Sequence, residues 1–310
     1  MKKSPNNVKS TELLKSHFLV NTSSSQVYTK AHMEGWFIRI LRIIPAYFWL
    51  ILFLLIALFP FIISLFTSVK TNADLLKGFF KWPEVWNWSN YAKVWTVYNF
   101  NIFFLNSTIV VVPVVIGGVF ISILGGYALG RMRFYFSGIL FTLFFVGFMT
   151  PHEGYVIPLY YLLKSINLSN TYWALILPSI AMSGCYGCFF MSVIFRNVSQ
   201  DIIDASRIDG CNNWAILWRI LVPIVKPAIY TMIVLFFVWT WNDFMLALIM
   251  LEESSLYTVP LGLAAFNSAR HSNVPLTSAG SMIVAIPIII IYLIFQRYFI
   301  RGLTAGAEKG

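Results

Sequence analysis

Three small polar constellations interrupt a chain of 310 residues that is 58% hydrophobic and only 11% charged. One is Asp204-Ala205-Ser206-Arg207-Ile208-Asp209-Gly210, followed by Pro223 and Pro227. The others are His152-Glu153, and Asn242-Asp243 beside Trp239 and Trp241, both set in apolar blocks. An imidazole next to a carboxylate is raw material for acid–base or metal chemistry, and His-Glu opens the zinc-protease helix motif. That motif needs a second histidine at fixed spacing, and none follows His152. No glycine-rich phosphate loop of the G-x-x-x-x-G-K-[ST] type is present, and Gly306-Ala307-Glu308-Lys309 does not meet its spacing. Cys185 and Cys188 alternate with Gly184 and Gly187 inside an apolar run. This is a pattern of close helix packing rather than of a redox or metal site, which needs an exposed thiolate or a partner pair. The residues therefore predict no catalytic group, no metal and no cofactor held by this chain.

What remains is binding chemistry. Aromatic faces beside amide and carboxylate groups suit sugars, because rings stack on apolar sugar faces while polar groups bond hydroxyls. Trp239, Trp241, Asn242 and Asp243 form such a set and are candidates for a translocation pathway. Helix packing with an aromatic belt accounts for the same residues. His152 and Glu153 fall near the end of an apolar block, where they serve either a gate or contact with lipid headgroups.

The elements that position these groups are membrane spans. A spanning helix needs about 20 mostly apolar residues. Six segments qualify: Ile43 to Phe66, Phe103 to Leu129, Ser137 to Leu159, Tyr172 to Phe195, Ala228 to Leu251 and Ala279 to Phe299. Pro60 and Pro287 are tolerated inside them. In the second span, Gly126 and Gly130 have the spacing that lets helices approach closely. The first apolar run starts too late and is too long for a cleavable signal peptide. The expected fold class is all-α: a polytopic membrane protein with six transmembrane helices. Its net charge of +10 is not a nucleic-acid signature, because the cations flank the spans and form no separate basic domain.

Those flanks set an orientation. With both termini in the cytoplasm, only Lys70, Lys77, Lys81, Lys93, Lys164 and Arg270 of the 22 cations lie outside. Residues 1–42 then form a cytoplasmic tail and interfacial segment, residues 43–299 the transmembrane domain, and residues 300–310 a cytoplasmic tail. Trp82, Trp86, Trp88 and Trp95 lie in an outer loop, as a headgroup belt or a docking surface.

The polar island predicts a helix of two to three turns. Ser199 and Asp201 offer N-cap side chains, and Asp201 and Asp204 complement the helix dipole. Ile202, Ile203, Ala205 and Ile208 supply its apolar positions. Gly210 stops it, since glycine accepts the left-handed conformation. Such a helix is too short to stand alone in water and must dock. Asn213 can cap a second helix from Trp214 to Val222, and Pro223 and Pro227 then break the backbone. Either this is a rigid elbow that carries a push into the membrane, or it is an ordinary loop with capped ends.

The island resembles the EAA motif of binding-protein-dependent ABC importer permeases, E-A-A-x-x-D-G followed after a spacer by I-x-L-P-x-x-x-P. Ala205, Asp209, Gly210, Pro223 and Pro227 match, while Asp204 stands for Glu, Ser206 for Ala and Val222 for Leu. Other stretches resemble the maltose-type, sugar-importing branch: Pro60 to Lys70, Asn106-Ser107, Gly126 to Arg131, Asn170 to Trp173, Trp241 to Phe244 and Arg301 to Gly306. The resemblance implies a permease subunit of the bacterial inner membrane that imports a carbohydrate, with the loop 196–227 carrying the coupling helix. It implies a second homologous permease, a pair of ATP-binding subunits that hold ATP and magnesium, and an extracytoplasmic solute-binding protein. It also implies that Gly302, Thr304 and Gly306 contact the ATPase pair. The alternative, an ion-coupled secondary transporter or channel, requires ionisable groups deep in several spans, and only Glu153 and Asp243 come near that description.

Overall fold

A computed structural model describes residues 43, 45–78, 80–132, 134–268 and 273–304. The expected N-terminal tail and Gly306 lie outside these. The chain divides into two compact units, residues 1–63 and 64–310. Helix α1, Pro45–Ser68, begins in the first and ends in the second, and it runs through Pro60 unbroken. Its 24 residues reach about 36 Å, enough to cross a bilayer core.

Every regular element among the described residues of the second unit is a helix. Short helices α2, Asn72–Leu76, and α3, Ser89–Thr96, precede the 32-residue α4, Phe100–Arg131. Then come α5, Ser137–Met149, α6, His152–Ser165, and α7, Trp173–Arg196. The island folds as α8, Gln200–Ile208, followed by α9, Asn213–Ile224, and α10, Lys226–Trp241. Helix α11 is Met245–Met250, α12 Val259–Ser268 and α13 Val274–Thr304. Four helices (α1, α4, α7 and α13) are long and apolar enough to cross a membrane, and six crossings result if α5–α6 and α9–α10 each count as one bent span.

Two expected spans are not continuous. The third, Ser137 to Leu159, breaks between Met149 and His152. Thr150 precedes Pro151, and proline pushes its predecessor into the extended conformation seen there, φ −73° and ψ 120°. The fifth, Ala228 to Leu251, breaks at Asn242–Phe244. There the Asn242 amide donates to the Val238 carbonyl at 2.8 Å, and the Asp243 carboxylate accepts from the Leu246 N–H at 3.2 Å. Short polar side chains of this kind compete with the helical ladder.

The axis of the unit is the seam between α4 and α7. A Cβ on Gly126 would lie 2.4 Å from the Met191 Cβ, and one on Gly187 would lie 1.7 Å from the Ser122 Oγ. Only hydrogen fits at either place, so the two backbones approach as the small-residue spacing predicts. Cys188 is fully buried in this seam and its thiol donates to the Ile121 carbonyl at 3.5 Å. One core cluster, with Tyr127, Met191 and Phe195, lies towards the α8 end. Two others, around Val114 with Leu175 and around Phe100 with Trp241, fill the far end.

Candidate functional site

Helix α8 is closed at both ends by its own sequence. The Ser199 hydroxyl accepts from the Asp201 N–H at 3.2 Å. At the other end Gly210 takes φ +81°, the Gly210 N–H donates to Arg207 O, and the Cys211 N–H donates to Ser206 O, both at 3.0 Å. This pair of bonds around a left-handed glycine is a Schellman cap. A Cβ on Gly210 would meet nothing within 4 Å, so the constraint there is conformational rather than steric.

The helix shows an unequal pair of faces. Ile203 and Ser206 are buried, and Ile203 joins the cluster of Tyr127, Phe195 and Leu217. Ser206, in the position where the EAA pattern has alanine, donates its hydroxyl to Ile202 O at 2.6 Å and so carries no unmet polar group into the packing. Asp204, Ala205, Asp209 and Gly210 are exposed. Ile208, expected among the docked apolar residues, is 87% exposed, and Ile202 is exposed as well. An exposed ion pair links Asp204 to Arg207 at 3.7 Å, and Gln200 donates to Asp204 at 2.9 Å.

The elbow behind α8 differs from expectation in two details. Asn212, not Asn213, caps α9: its carboxamide oxygen accepts from the Ala215 N–H at 2.8 Å. Pro223 does not break the chain. Helix α9 widens into a π turn over Ile216–Leu221, where the Val222 N–H reaches back to Leu217 O, and Pro223 rides in the turn that follows. The break comes at Val225, after which α10 departs at 79° with Pro227 in its first turn. Proline at the start of a helix loses no bond there.

Two arginines that flank the motif, counted from sequence only as charges, tie elements together at this end: Arg131 holds the start of α8 and Arg196 ties α7 to α4. Arg131, at the end of α4, donates to the Val198 carbonyl and to the Gln200 side chain. Arg196, at the end of α7, donates to Leu129 O at 3.0 Å and lies over the Phe141 ring at 5.2 Å.

The pathway candidates gather at a second place. A cavity of about 470 Å³ is lined by Glu153, Trp239, Asn242 and Asp243, together with Phe148 and Met182. Ser179, Ser183 and Thr240 add hydroxyls that the sequence reading had not singled out. The breaks in both interrupted spans border this one cavity: Phe148 and Glu153 flank the first, and Asn242 to Phe244 form the second. Discontinuous helices at a shared cavity are a recurrent way to expose backbone groups within a membrane protein. Trp241 stands apart, at 2% exposure, with its indole N–H donating to Val284 O at 3.1 Å and its ring stacked on Phe237. It is a packing residue of the far end. His152 begins α6, and its side chain lies outside the described residues. Gly302 and Thr304 fall in the last turn of α13.

Comparison with known proteins agrees with this layout. The family described as binding-protein-dependent transport system inner membrane component matches residues 118–305, a stretch that contains α8 and the cavity. The arabinooligosaccharides transport system permease protein AraQ of Bacillus subtilis is 34% identical over 262 residues, 83% of this chain and 92% of that one. The trehalose/maltose transport system permease protein MalG of Thermococcus litoralis is 34% identical over 280 residues, 88% of this chain and 97% of that one. A solved bacterial ABC transporter involved in the import of alginate has a chain of like fold, with a TM-score of 0.69 at 24% identity over 84% of this chain and 97% of that one. Among the described residues no cluster of metal-ligating side chains competes with a transport reading. A multi-pass helical bundle with a capped helix at one end, matched over most of its length, thus belongs to the family of binding-protein-dependent transport system inner membrane components.

Proposed function

We propose that this chain is the permease subunit of an ATP-driven importer for a carbohydrate, specifically an oligosaccharide, and that α8 is its coupling helix. The spans lie with both termini in the cytoplasm, residues 43–299 form the transmembrane domain, and a second, homologous permease completes the path. A pair of ATP-binding subunits, which hold ATP and magnesium, docks below. An extracytoplasmic solute-binding protein delivers the sugar from the other side. Asp204, Ala205, Asp209 and Gly210 present the docking face, Ser206 seats α8, and Pro223 and Pro227 shape the elbow that relays its motion. Gly302, Thr304 and Gly306 give the ATPase pair a second contact. Glu153, Trp239, Asn242 and Asp243 lie on the sugar's path.

The observation that carries this reading is the exposure of Ile208 on a helix of nine residues that is capped at both ends. A helix this short gains its stability from packing, yet of its apolar residues only Ile203 is buried while Ile202, Ala205 and Ile208 are exposed. A partner that covers Ile208 removes that surface from water, and a rigid elbow transmits the partner's movement to α10. The oligosaccharide is supported by the arabinooligosaccharide and trehalose/maltose systems of the relatives and by the aromatic and polar lining of the cavity.

The test is the complete transporter in liposomes with its solute-binding protein, assayed for uptake of labelled arabino- and malto-oligosaccharides alongside ATP hydrolysis. Uptake of at least one series, abolished by Asp243→Asn with Trp239→Ala while ATP hydrolysis persists, is the expected result. Transport of neither series would remove the carbohydrate assignment. Deleting residues 304–310 should weaken co-purification of the ATP-binding subunits, and unchanged retention with unchanged hydrolysis would remove the tail from the interface.

A further inference from the structure

The two arginines that anchor the α8 end share a cleft that the transport reading leaves unused. It has a volume of about 350 Å³ and is lined by Arg131, Met132, Phe134, Ser137, Arg196 and Gln200. Among the described residues neither guanidinium has a carboxylate within 4 Å; the ion pairs there are Lys77–Glu84 and Asp204–Arg207. Their bonds go to the neutral acceptors Val198 O, Leu129 O and the Gln200 side chain. The Nε of Arg131 is buried and has no hydrogen-bond partner. Arg196 is exposed and Arg131 half-buried, so both cations can reach a ligand, and the buried Nε of Arg131 carries the cost of a donor without an acceptor. Helix α5 begins at the same cleft with no side-chain cap, so the positive end of its dipole adds to the field.

The surroundings of the cleft are apolar and open. Met132, Phe134, Tyr135 and Phe136 are exposed, and from Phe136 an exposed strip continues along α5 through Ile139, Leu140 and Leu143. A ligand that satisfies both parts is an amphiphile: an anion for the arginines and a hydrocarbon chain for the strip. We propose that this cleft binds the phosphate of an anionic phospholipid, with an acyl chain along α5. Free phosphate shares the headgroup chemistry but leaves the strip uncovered. Because Arg131 also bonds to Val198 and Gln200, an occupied cleft would tie the start of α5 to the start of α8, and the lipid would stiffen the mounting of the proposed coupling helix.

The experiment uses the assembled transporter purified in detergent and native mass spectrometry with short-chain phosphatidylglycerol. Short-chain phosphatidylcholine is the zwitterionic control, and inorganic phosphate is the competitor. Retention of phosphatidylglycerol over phosphatidylcholine is expected, with inorganic phosphate unable to displace it. Arg196→Gln should weaken retention about fivefold and the double variant with Arg131→Gln about 30-fold, while Arg196→Lys stays within about twofold of the parent. Arg131→Gln also removes a bond to Val198, so Arg196→Gln decides the case if the double variant does not fold. Unchanged retention in folded Arg196→Gln overturns the proposal. Displacement by inorganic phosphate at the same concentration as phosphatidylglycerol assigns the cleft to free phosphate and overturns the lipid. Loss of the ATP-binding subunits from Arg196→Gln, with lipid retention intact, makes the cleft a protein contact and overturns it as well.

Discussion

The two ends of the α4–α7 pair are built on opposite principles. At the far end, neutral side chains bind loops, two of them, Asn106 and Ser107, buried in the bundle. The Asn106 amide donates to Ser255 O at 2.8 Å and to Tyr257 O at 3.0 Å, while its oxygen accepts from the Tyr172 hydroxyl at 2.7 Å. Ser107 accepts from the Val259 N–H at 2.8 Å, and Asn170, at φ 55°, accepts from the backbone of Glu252 and Glu253. At the α8 end the ties are charged, more exposed and fewer: two arginines on backbone carbonyls and one buried isoleucine. Buried networks in which each partner is satisfied hold a single arrangement. Exposed charged ties are screened and exchange readily with water. The far end is thereby a fixed frame, and the α8 end is a mounting that a partner can move.

Substitutions that act on one end only would break or sharpen this contrast. Asn106→Ala should have the largest effect. It takes the Asn106 partner from the part-buried bonds to Ser255 O, Tyr257 O and the Tyr172 hydroxyl and should cost about 3 kcal/mol of stability, read as a large fall in thermal midpoint in detergent; a midpoint within a degree of the parent would mean that the frame is held elsewhere. Gly210→Val comes next. A β-branched residue at φ +81° costs about 1–2 kcal/mol, confined to the α8 cap. Uptake by the reconstituted complex should fall about five- to 30-fold, the arithmetic of that energy, while the thermal midpoint of the spans stays close to that of the parent. Normal uptake in Gly210→Val would sink the coupling assignment.

Ile208→Ser should be nearly silent for stability, within about 0.5 kcal/mol for an exposed side chain, yet should weaken co-purification of the ATP-binding subunits. Equal recovery of those subunits would make the exposed isoleucine incidental. The smallest effect belongs to a third place, the cap of α2. There the Thr71 N–H and hydroxyl donate to the Asp74 carboxylate at 3.1 and 2.8 Å, which holds its pKa below the usual 3.8. A depressed carboxylate stabilises the fold above its ordinary pKa and loses that contribution as the pH falls through the lowered value. Asp74→Asn should therefore differ slightly from the parent at neutral pH and converge with it in acid. A difference that persists unchanged below pH 3 would exclude the capping carboxylate as its source.

The sequence was legible where a local rule decides the structure. Ser199 and Gly210 bound α8 through contacts within five residues, and the glycines of α4 announce the seam by spacing alone. The two broken spans were hidden because hydropathy averages over a window. Thr150-Pro151 and Asn242-Asp243 add little polarity to long apolar runs, yet each decides the backbone locally. The frame at the far end was hidden for another reason. Asn106 meets carbonyls about 150 positions along the chain, and no local pattern encodes such a partner. Trp241 misled because tryptophan beside Asn-Asp has the composition of a sugar site, while the helical register turns its ring into the core. Among the candidate residues, Glu153, Trp239, Asn242 and Asp243 share one cavity only because both breaks fall beside it.

The π turn in α9 sets the phase of the whole elbow. It carries one residue more than an α turn, and one residue corresponds to about 100° of rotation about the helix axis. Through that offset Ile216, Leu217 and Leu221 are all buried on the bundle side, while Asn212 still caps α9 on the far side of the turn. Deleting a single residue between Ile216 and Leu221 would restore a regular helix and leave the spans able to insert. It would also aim α8 about a quarter-turn away from its seat at Ile203, so a chain with better local geometry would be a transporter out of timing with its motor.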